Sequence, residues 1–237
     1  TDFTWFCTCI PDFQIHLLWI SSKPSKQHNV LRIHPVNKNL FILVVIIATL
    51  FGLGASVLLN QKTPVQLKSL TWFGEQAKPL PSFNLTDHNN LLYNNQSFSG
   101  QWNLLFFGYT NCPDICPDTM QMLNTMMQQL PDDETRQQIQ ITFISVDPDR
   151  DHSENLKAYV SYFNPDFKAV SGDINQIKIL TDAVGILFYS EPKPEGYDVG
   201  HSGALVLIDP ESRYTGVFGS PHDAQKIAHD MNALING

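Results

Sequence analysis

The longest apolar run in the chain is Leu40–Leu59 (LFILVVIIATLFGLGASVLL), twenty residues without a charge. A helix of that length rises about 30 Å, the depth of a bilayer's hydrocarbon core. Beyond it the apolar positions come in shorter bursts, and their spacing predicts strands alternating with helices. Trp102–Tyr109 (WNLLFFGY) is rich in aromatics and predicts a buried strand. Leu123, Met126, Met127 and Leu130 recur at helical spacing and predict a helix over about 114–130. With Met120 and Met122 they form a methionine cluster, read as core rather than as a copper site. Ile139–Val146 alternates and is β-branched, a second strand closed by Asp147-Pro148-Asp149. Ser153, with Glu154 in the first turn, is placed to cap a helix running to Phe163. Ala169-Val170 predicts a short strand, Ile174–Val184 a helix and Glu191–Gly196 a loop. Ala204–Ile208 is a third core strand, Tyr214–Phe218 its hairpin partner, and Pro221 the first residue of a last helix through Leu234. Such an order predicts an α/β fold.

Four basic residues (Lys23, Lys26, Arg32 and Lys38) precede the long apolar run. The positive-inside rule then places the N-terminus in the cytoplasm and the rest outside, at the periplasmic or extracytoplasmic face of the cytoplasmic (inner) membrane. The alternative is a cleaved signal peptide with a small-residue site at Gly54-Ala55-Ser56, although the run is longer than a usual signal core. Residues 36–60 are expected to be a cytoplasmic leader and a transmembrane anchor, 61–74 a tether, and 75–237 a single domain. Residues 1–35 have no clear period, and no Met occurs before Met120. They are expected to be an extension upstream of a true start at Val36, so Cys7-x-Cys9 carries little weight as a metal site.

The formal charge of −8 is uneven. From residue 61 onward 21 acids face 11 bases, which argues against nucleic acid as a partner, because neutralising phosphates needs a basic face. An acidic domain suits metal cations or a basic partner.

Cys112 and Cys116 are the only cysteines in the expected domain, too few for a disulfide scaffold. They sit where a predicted strand ends and a helix begins. If both are helical they share one face, with Cα atoms about 6 Å apart, a separation that a disulfide or a shared metal ion tolerates. The positive end of the helix favours thiolates there. Pro113 and Pro117 restrict the backbone around them. A pair directly after the first core strand is a thioredoxin-like placement, but three residues separate these cysteines, where thioredoxin-like oxidoreductases have two. Two thiolates suit soft Cu(I), and also Zn(II), and a selective site asks for a third donor. His201, just before Ala204–Ile208, is the candidate: a ligand that would let the site hold Cu(II) as well as Cu(I), or an ordinary loop histidine. His88, His152, His222 and His229 are expected at the surface. Asp114 is read as serving the helix dipole, and the Asp147–Asp151 turn as either a docking loop or a solvated turn.

The segment Gly108-Tyr109-Thr110-Asn111-Cys112-Pro113-Asp114-Ile115-Cys116-Pro117, the turn Ser145–Asp151 (SVDPDRD), and His201 followed by the strand to Pro210 together resemble the Sco/SenC family, across roughly residues 75–237. The resemblance implies a thioredoxin-like fold with an N-terminal membrane anchor. It also implies copper bound by the motif's two cysteines and a distal histidine, which map onto Cys112, Cys116 and His201. It further implies assembly of the dinuclear copper centre of cytochrome c oxidase, as metal donor, thiol reductant or both. The partner would be the oxidase's copper-bearing subunit or another copper-transfer protein. Gly200 departs from the family, where many relatives have Asp before the histidine; Asp198 is the expected replacement in supporting His201. The competing readings are an extracytoplasmic thiol-disulfide oxidoreductase or thiol peroxidase, with Cys112 and Cys116 as a catalytic redox pair, and a redox sensor that is not an enzyme.

Overall fold

The structure, a computed structural model, describes residues 37–59 and 66–237, with side chains at all of these except 53–59. Residues 1–36, including Cys7, Cys9 and the expected start at Val36, lie outside the described residues. Two compact units are present, divided after Gln61.

In the first unit Lys38–Leu59 (α1) is helical over 22 residues, and its side chains from Leu40 to Phe51 are exposed. Among the described residues no helix is long and apolar enough to cross a membrane; along α1 side chains are described only to Gly52.

The second unit is a mixed α/β domain. Its strands are Leu70–Trp72 (β1), Lys78–Pro79 (β2), Asn84–Asp87 (β3), Leu92–Asn94 (β4), Trp102–Gly108 (β5), Ile139–Ser145 (β6), Lys168–Ser171 (β7), Phe188–Lys193 (β8), Gly196–His201 (β9), Leu205–Ile208 (β10) and Arg213–Phe218 (β11). Its helices are Ile115–Gln128 (α2), Asp133–Gln137 (α3), Ser153–Phe163 (α4), Ile174–Val184 (α5) and Ala224–Asn236 (α6). The main sheet runs β1-β11-β10-β5-β6-β7-β3-β4, with β2 also on β11; β8 and β9 form a separate two-stranded ribbon. β5 pairs in parallel with β6 and antiparallel with β10. Six of the seven β5 residues are buried, as expected of a strand covered on both faces. Phe106, Phe107 and Phe143 fill the layers above and below it, and Met120 and Met126 join that core with no exposure. The methionine cluster is therefore packing.

The elements depart from the expectations in several places; Ser153 is the first residue of α4, and His152 takes the cap position. The expected loop at Glu191–Gly196 is the tip of the β8–β9 ribbon, with Phe188 paired to His201 and Lys193 to Gly196. Its alternation is hidden because nearly all of β8 is exposed, so no inward-facing apolar set marks it as a strand. The last helix starts at Ala224 and not at Pro221, because Asp223 caps it by accepting from the backbone N–H groups of Gln225 and Lys226. Finally, Leu70–Trp72, expected as tether, is a strand of the main sheet. It pairs antiparallel with β11, Leu70 lying opposite Phe218 and Trp72 opposite Gly216.

Asp230 holds that incoming strand. Its carboxylate is fully buried on α6 and accepts from the backbone N–H groups of Lys68, Ser69 and Leu70 at 2.7, 2.8 and 2.9 Å. Burial alone would raise its pKa, but the three amides and His229 outweigh it and hold the carboxyl below its ordinary value. Asp230→Asn, which keeps the shape and removes the charge, is expected to lower unfolding stability by about 2–4 kcal/mol in denaturant titrations, given the strength of hydrogen bonds to charged groups. The carboxylate's contribution is present above the unfolded pKa of about 3.9 and lost as the pH falls through the lower folded value. The variant should therefore lose less stability than the wild type on acidification, and an unchanged pH profile would remove Asp230 from this role.

Candidate metal centre

β5 ends at Gly108, and the chain turns through residues 109–114 before α2 begins at Ile115. Cys112 lies in that turn, with its N–H donating to the Tyr109 carbonyl at 3.3 Å, and Cys116 lies in the first turn of α2. The two cysteines are thus not on one helical face, as the four-residue spacing suggested; the turn brings Cys112 back over the helix end. His201 closes β9, and the chain then enters β10, the strand beside β5. Strand adjacency thereby brings residues 112 and 201 together across 89 positions of sequence.

The Sγ of Cys116 lies 3.4 Å from Nε2 of His201. The donor atoms of Cys112, Cys116 and His201 all lie within 4.8 Å of one another, and no other such group of metal-ligating side chains occurs among the described residues. Donors at about 2.0–2.3 Å from one ion stand about 3.5–4 Å apart, so this spacing fits a shared ion with little adjustment. Cys116 is buried, while Cys112 and His201 are half-buried, which leaves the site open on one side. Gly108 allows the close approach of Cys116: a Cβ there would lie 2.7 Å from its Sγ and 2.9 Å from the Phe143 ring.

The imidazole is oriented for ligation. Nδ1 lies 3.2 Å from the Ser202 carbonyl, to which a ring N–H donates, so the Nε2 lone pair faces the cysteines. Phe106 and Tyr109 stand edge-on to the ring at centroid distances of 6.0 and 6.1 Å. Asp198 does not support His201 as expected. It accepts instead from the Tyr109 hydroxyl and, at 3.2 Å, from the Val199 N–H. The Ser202 carbonyl takes the supporting role, which no side-chain pattern in the sequence could reveal.

The Asp147–Asp151 turn proves to be a brace between the two halves of the site. Asp151 is buried and accepts from the Thr110 N–H at 3.0 Å, from the Thr110 hydroxyl, and from the Ser145 hydroxyl at 2.6 Å, fixing the base of the cysteine turn. Asp147 accepts from the Tyr197 hydroxyl at 2.7 Å and from Nε of Arg150. Arg150 donates to the Tyr197 carbonyl at 2.9 Å and lies over the Tyr197 ring, 3.9 Å from its centroid. One turn thus grips the cysteine segment through Thr110 and the histidine ribbon through Tyr197. Of the other histidines among the described residues, only His152 is exposed; His88, His222 and His229 are half-buried and bonded to the Ala169 N–H, the Gly203 carbonyl and Asp230 respectively.

The thiols are strongly coupled. The hydrogen bond from Cys116 is the main cause that lowers the Cys112 pKa to about 5; it prevails over burial, helped by the backbone N–H groups of Cys116 and Asp114. The same bond and burial push Cys116 well up. At neutral pH the pair therefore holds one proton, on Cys116. In the reduced, metal-free protein Cys112 should be alkylated rapidly at pH 7, with a rate that falls below a pH of about 5, while Cys116 stays unmodified. Peptide mapping after limited iodoacetamide treatment checks this; equal labelling of both cysteines would overturn the assignment.

A model of the SCO1/SenC family matches residues 74–236. The mitochondrial SCO2 homolog of Homo sapiens is 34% identical over 151 residues, which are 63% of this chain and 57% of that protein's length. An SCO2-like protein of Rickettsia prowazekii is 31% identical over 198 residues, 81% of this chain and 96% of that one. The structure of Bradyrhizobium japonicum ScoI with copper bound superposes with a TM-score of 0.59 at 29% identity, covering 65% of this chain and 97% of that one. The α/β core is accordingly thioredoxin-like, as in the Sco structures, and the chain belongs to the SCO1/SenC family.

Proposed function

We propose that this protein is a membrane-anchored copper-binding chaperone for assembly of the dinuclear copper centre of cytochrome c oxidase. Copper, its cargo, would be held by Cys112, Cys116 and His201. The convergence of these three donors within 4.8 Å carries the reading. Two sulfurs favour Cu(I), and the imidazole makes Cu(II) tolerable as well. The donors belong to three separate segments: a turn, a helix start and a ribbon end. Such a site can exchange its ligands one at a time. Cys112, already a thiolate, binds without losing a proton, whereas Cys116 must release one on binding and regain it on release. The copper-bound relative supports the choice of metal, and the recipient would be the oxidase's copper-bearing subunit or another copper-transfer protein.

The lowered Cys112 pKa and the adjacent Cys116 also favour a thiol-disulfide role, in which Cys112 attacks a disulfide and Cys116 resolves it. That reading gives His201 no duty as a ligand.

In an anaerobic titration of the reduced domain, one copper per chain is expected, with a thiolate-to-Cu(II) absorption band in the oxidised form. Cys112→Ala, Cys116→Ala and His201→Ala should each weaken binding by about 100-fold or more, a loss of ~2.7 kcal/mol. Full affinity in His201→Ala, with thiols that still cycle to a disulfide, would move the protein to the oxidoreductase reading. The uncharged run Leu40–Leu59 supports an anchor with the domain on the periplasmic or extracytoplasmic side. In fractionated cells the full chain should stay with membranes after a carbonate wash and be digested by protease added from the outside. Release by the wash would refute the anchor.

A further inference from the structure

The β8–β9 ribbon has two different faces. Phe188 and its cross-strand partner His201 point inward, Phe188 packing against the core, and Val199 on the same face is buried. The alternate residues Leu187 and Tyr189 are 74% and 62% exposed. Tyr189 pairs with Gly200, and its ring lies across that glycine: a Cβ on Gly200 would come within 2.5 Å of the Tyr189 ring. Gly200 thus removes a side chain from β9 and lets the outer edge of an aromatic ring lie against the back of the strand that ends in His201. The result is an exposed apolar patch one residue away from a metal donor. Of the ribbon's own charged side chains three are acids, exposed Glu191 and Glu195 near the tip and half-buried Asp198, and one is a base, Lys193, 3.8 Å from Glu191, while Arg150 of the neighbouring turn lies over Tyr197. The ribbon shares no strand pairing with the main sheet. Besides the packing of Phe188 and Val199, the Tyr109 hydroxyl donates to the Asp198 carboxylate and Arg150 donates to the Tyr197 carbonyl.

We infer that the outer face of this ribbon, centred on Tyr189 and Leu187, is the docking surface for the protein that exchanges copper with this one, and that the partner presents an apolar patch bordered by Lys or Arg. This rests on the copper-chaperone reading above. The charge of the ribbon argues for a basic border, and the exposed aromatic for an apolar centre, since Tyr anchors are among the residues that dominate interface energetics. A partner seated there bears on the strand that holds His201, so docking and loosening of the imidazole ligand occur on one element. The copper passes as Cu(I) without a change of oxidation state. Each bond it loses to His201, Cys116 or Cys112 is replaced by one from the partner, and Cys116 takes back a proton from water.

The test loads the full chain, in detergent, with Cu(I). It then follows transfer to the copper-free soluble domain of the oxidase's copper-bearing subunit, beside transfer to a small chromophoric chelator. Tyr189→Ser and Leu187→Ser should slow transfer to the domain by about ten-fold while the chelator affinity stays within about two-fold of wild type. The Cu(II)–thiolate band should not move. Gly200→Asp, which displaces the Tyr189 ring, should slow transfer likewise, and Glu191→Gln with Glu195→Gln should flatten the dependence of the rate on salt. Wild-type transfer rates in Tyr189→Ser and Leu187→Ser would overturn the proposal, and so would a fall in chelator affinity that matches the fall in rate. A wild-type protein that yields copper to the chelator but none to the domain would refute this docking partner and leave copper binding intact. A wild-type protein that binds no copper would refute the chaperone reading itself.

Discussion

The antiparallel pairing of β10 with β5 is the constraint on which the site depends. Phe106 of β5 lies opposite Leu205 of β10, so the chain leaving β5 and the chain entering β10 meet at one end of the sheet. The cysteine turn follows β5 and His201 precedes β10. Backbone pairing fixes the two strands at about 4.8 Å, and local turns then need only short reach to bring the sulfurs and the imidazole together. The burial of β5 and β10 makes the register stiff, since a slip by one residue would turn Phe106 and Leu205 to the wrong faces.

Around that frame the site is held by polar contacts concentrated in one turn. Asp147 and Asp151 are both nearly fully buried, and each carboxylate is occupied by donors from the site segments. Burying a carboxylate costs several kcal/mol unless it is paired, so the turn is stable only while Thr110, Tyr197 and Arg150 stay in place. The cost of losing any one contact keeps both halves of the site at a fixed spacing. The ribbon that carries His201 pairs with no strand of the main sheet and is held instead by these contacts and by the packing of Phe188, Tyr197 and Val199 against the core.

The thiols show how geometry divides labour between like groups. Cys112 and Cys116 are the same residue type four positions apart, yet one is a thiolate at neutral pH and the other a buried thiol. The difference comes from position. Cys112 receives N–H groups at the start of α2 and the proton of Cys116, whereas Cys116 lies under Gly108 against Phe143 with no water to stabilise its charge.

Local pattern sufficed for much of this. The aromatic run of β5, the β-branched run of β6 and the helical spacing of α2, α4 and α5 are read from short windows, because a buried strand or an amphipathic helix imposes its period on neighbouring residues. The cysteine motif, and His201 as the candidate third donor, were equally legible, since soft-metal and thiol chemistry restricts the residue types. Other features depend on contacts distant in sequence and leave no periodic trace. Asp230 meets Leu70 across 160 positions, and Tyr197 meets Asp147 across 50. The Ser202 carbonyl, as a backbone group, has no residue-type signature at all. The exposed β8 strand hid the ribbon, because without a buried face a strand has no alternation to show. Short-range periodicity and ligand chemistry thus encode the elements and the donors along the chain itself. How the donors are oriented, which thiol carries the proton and what braces the site follow instead from packing between segments far apart, and no local window contains that information.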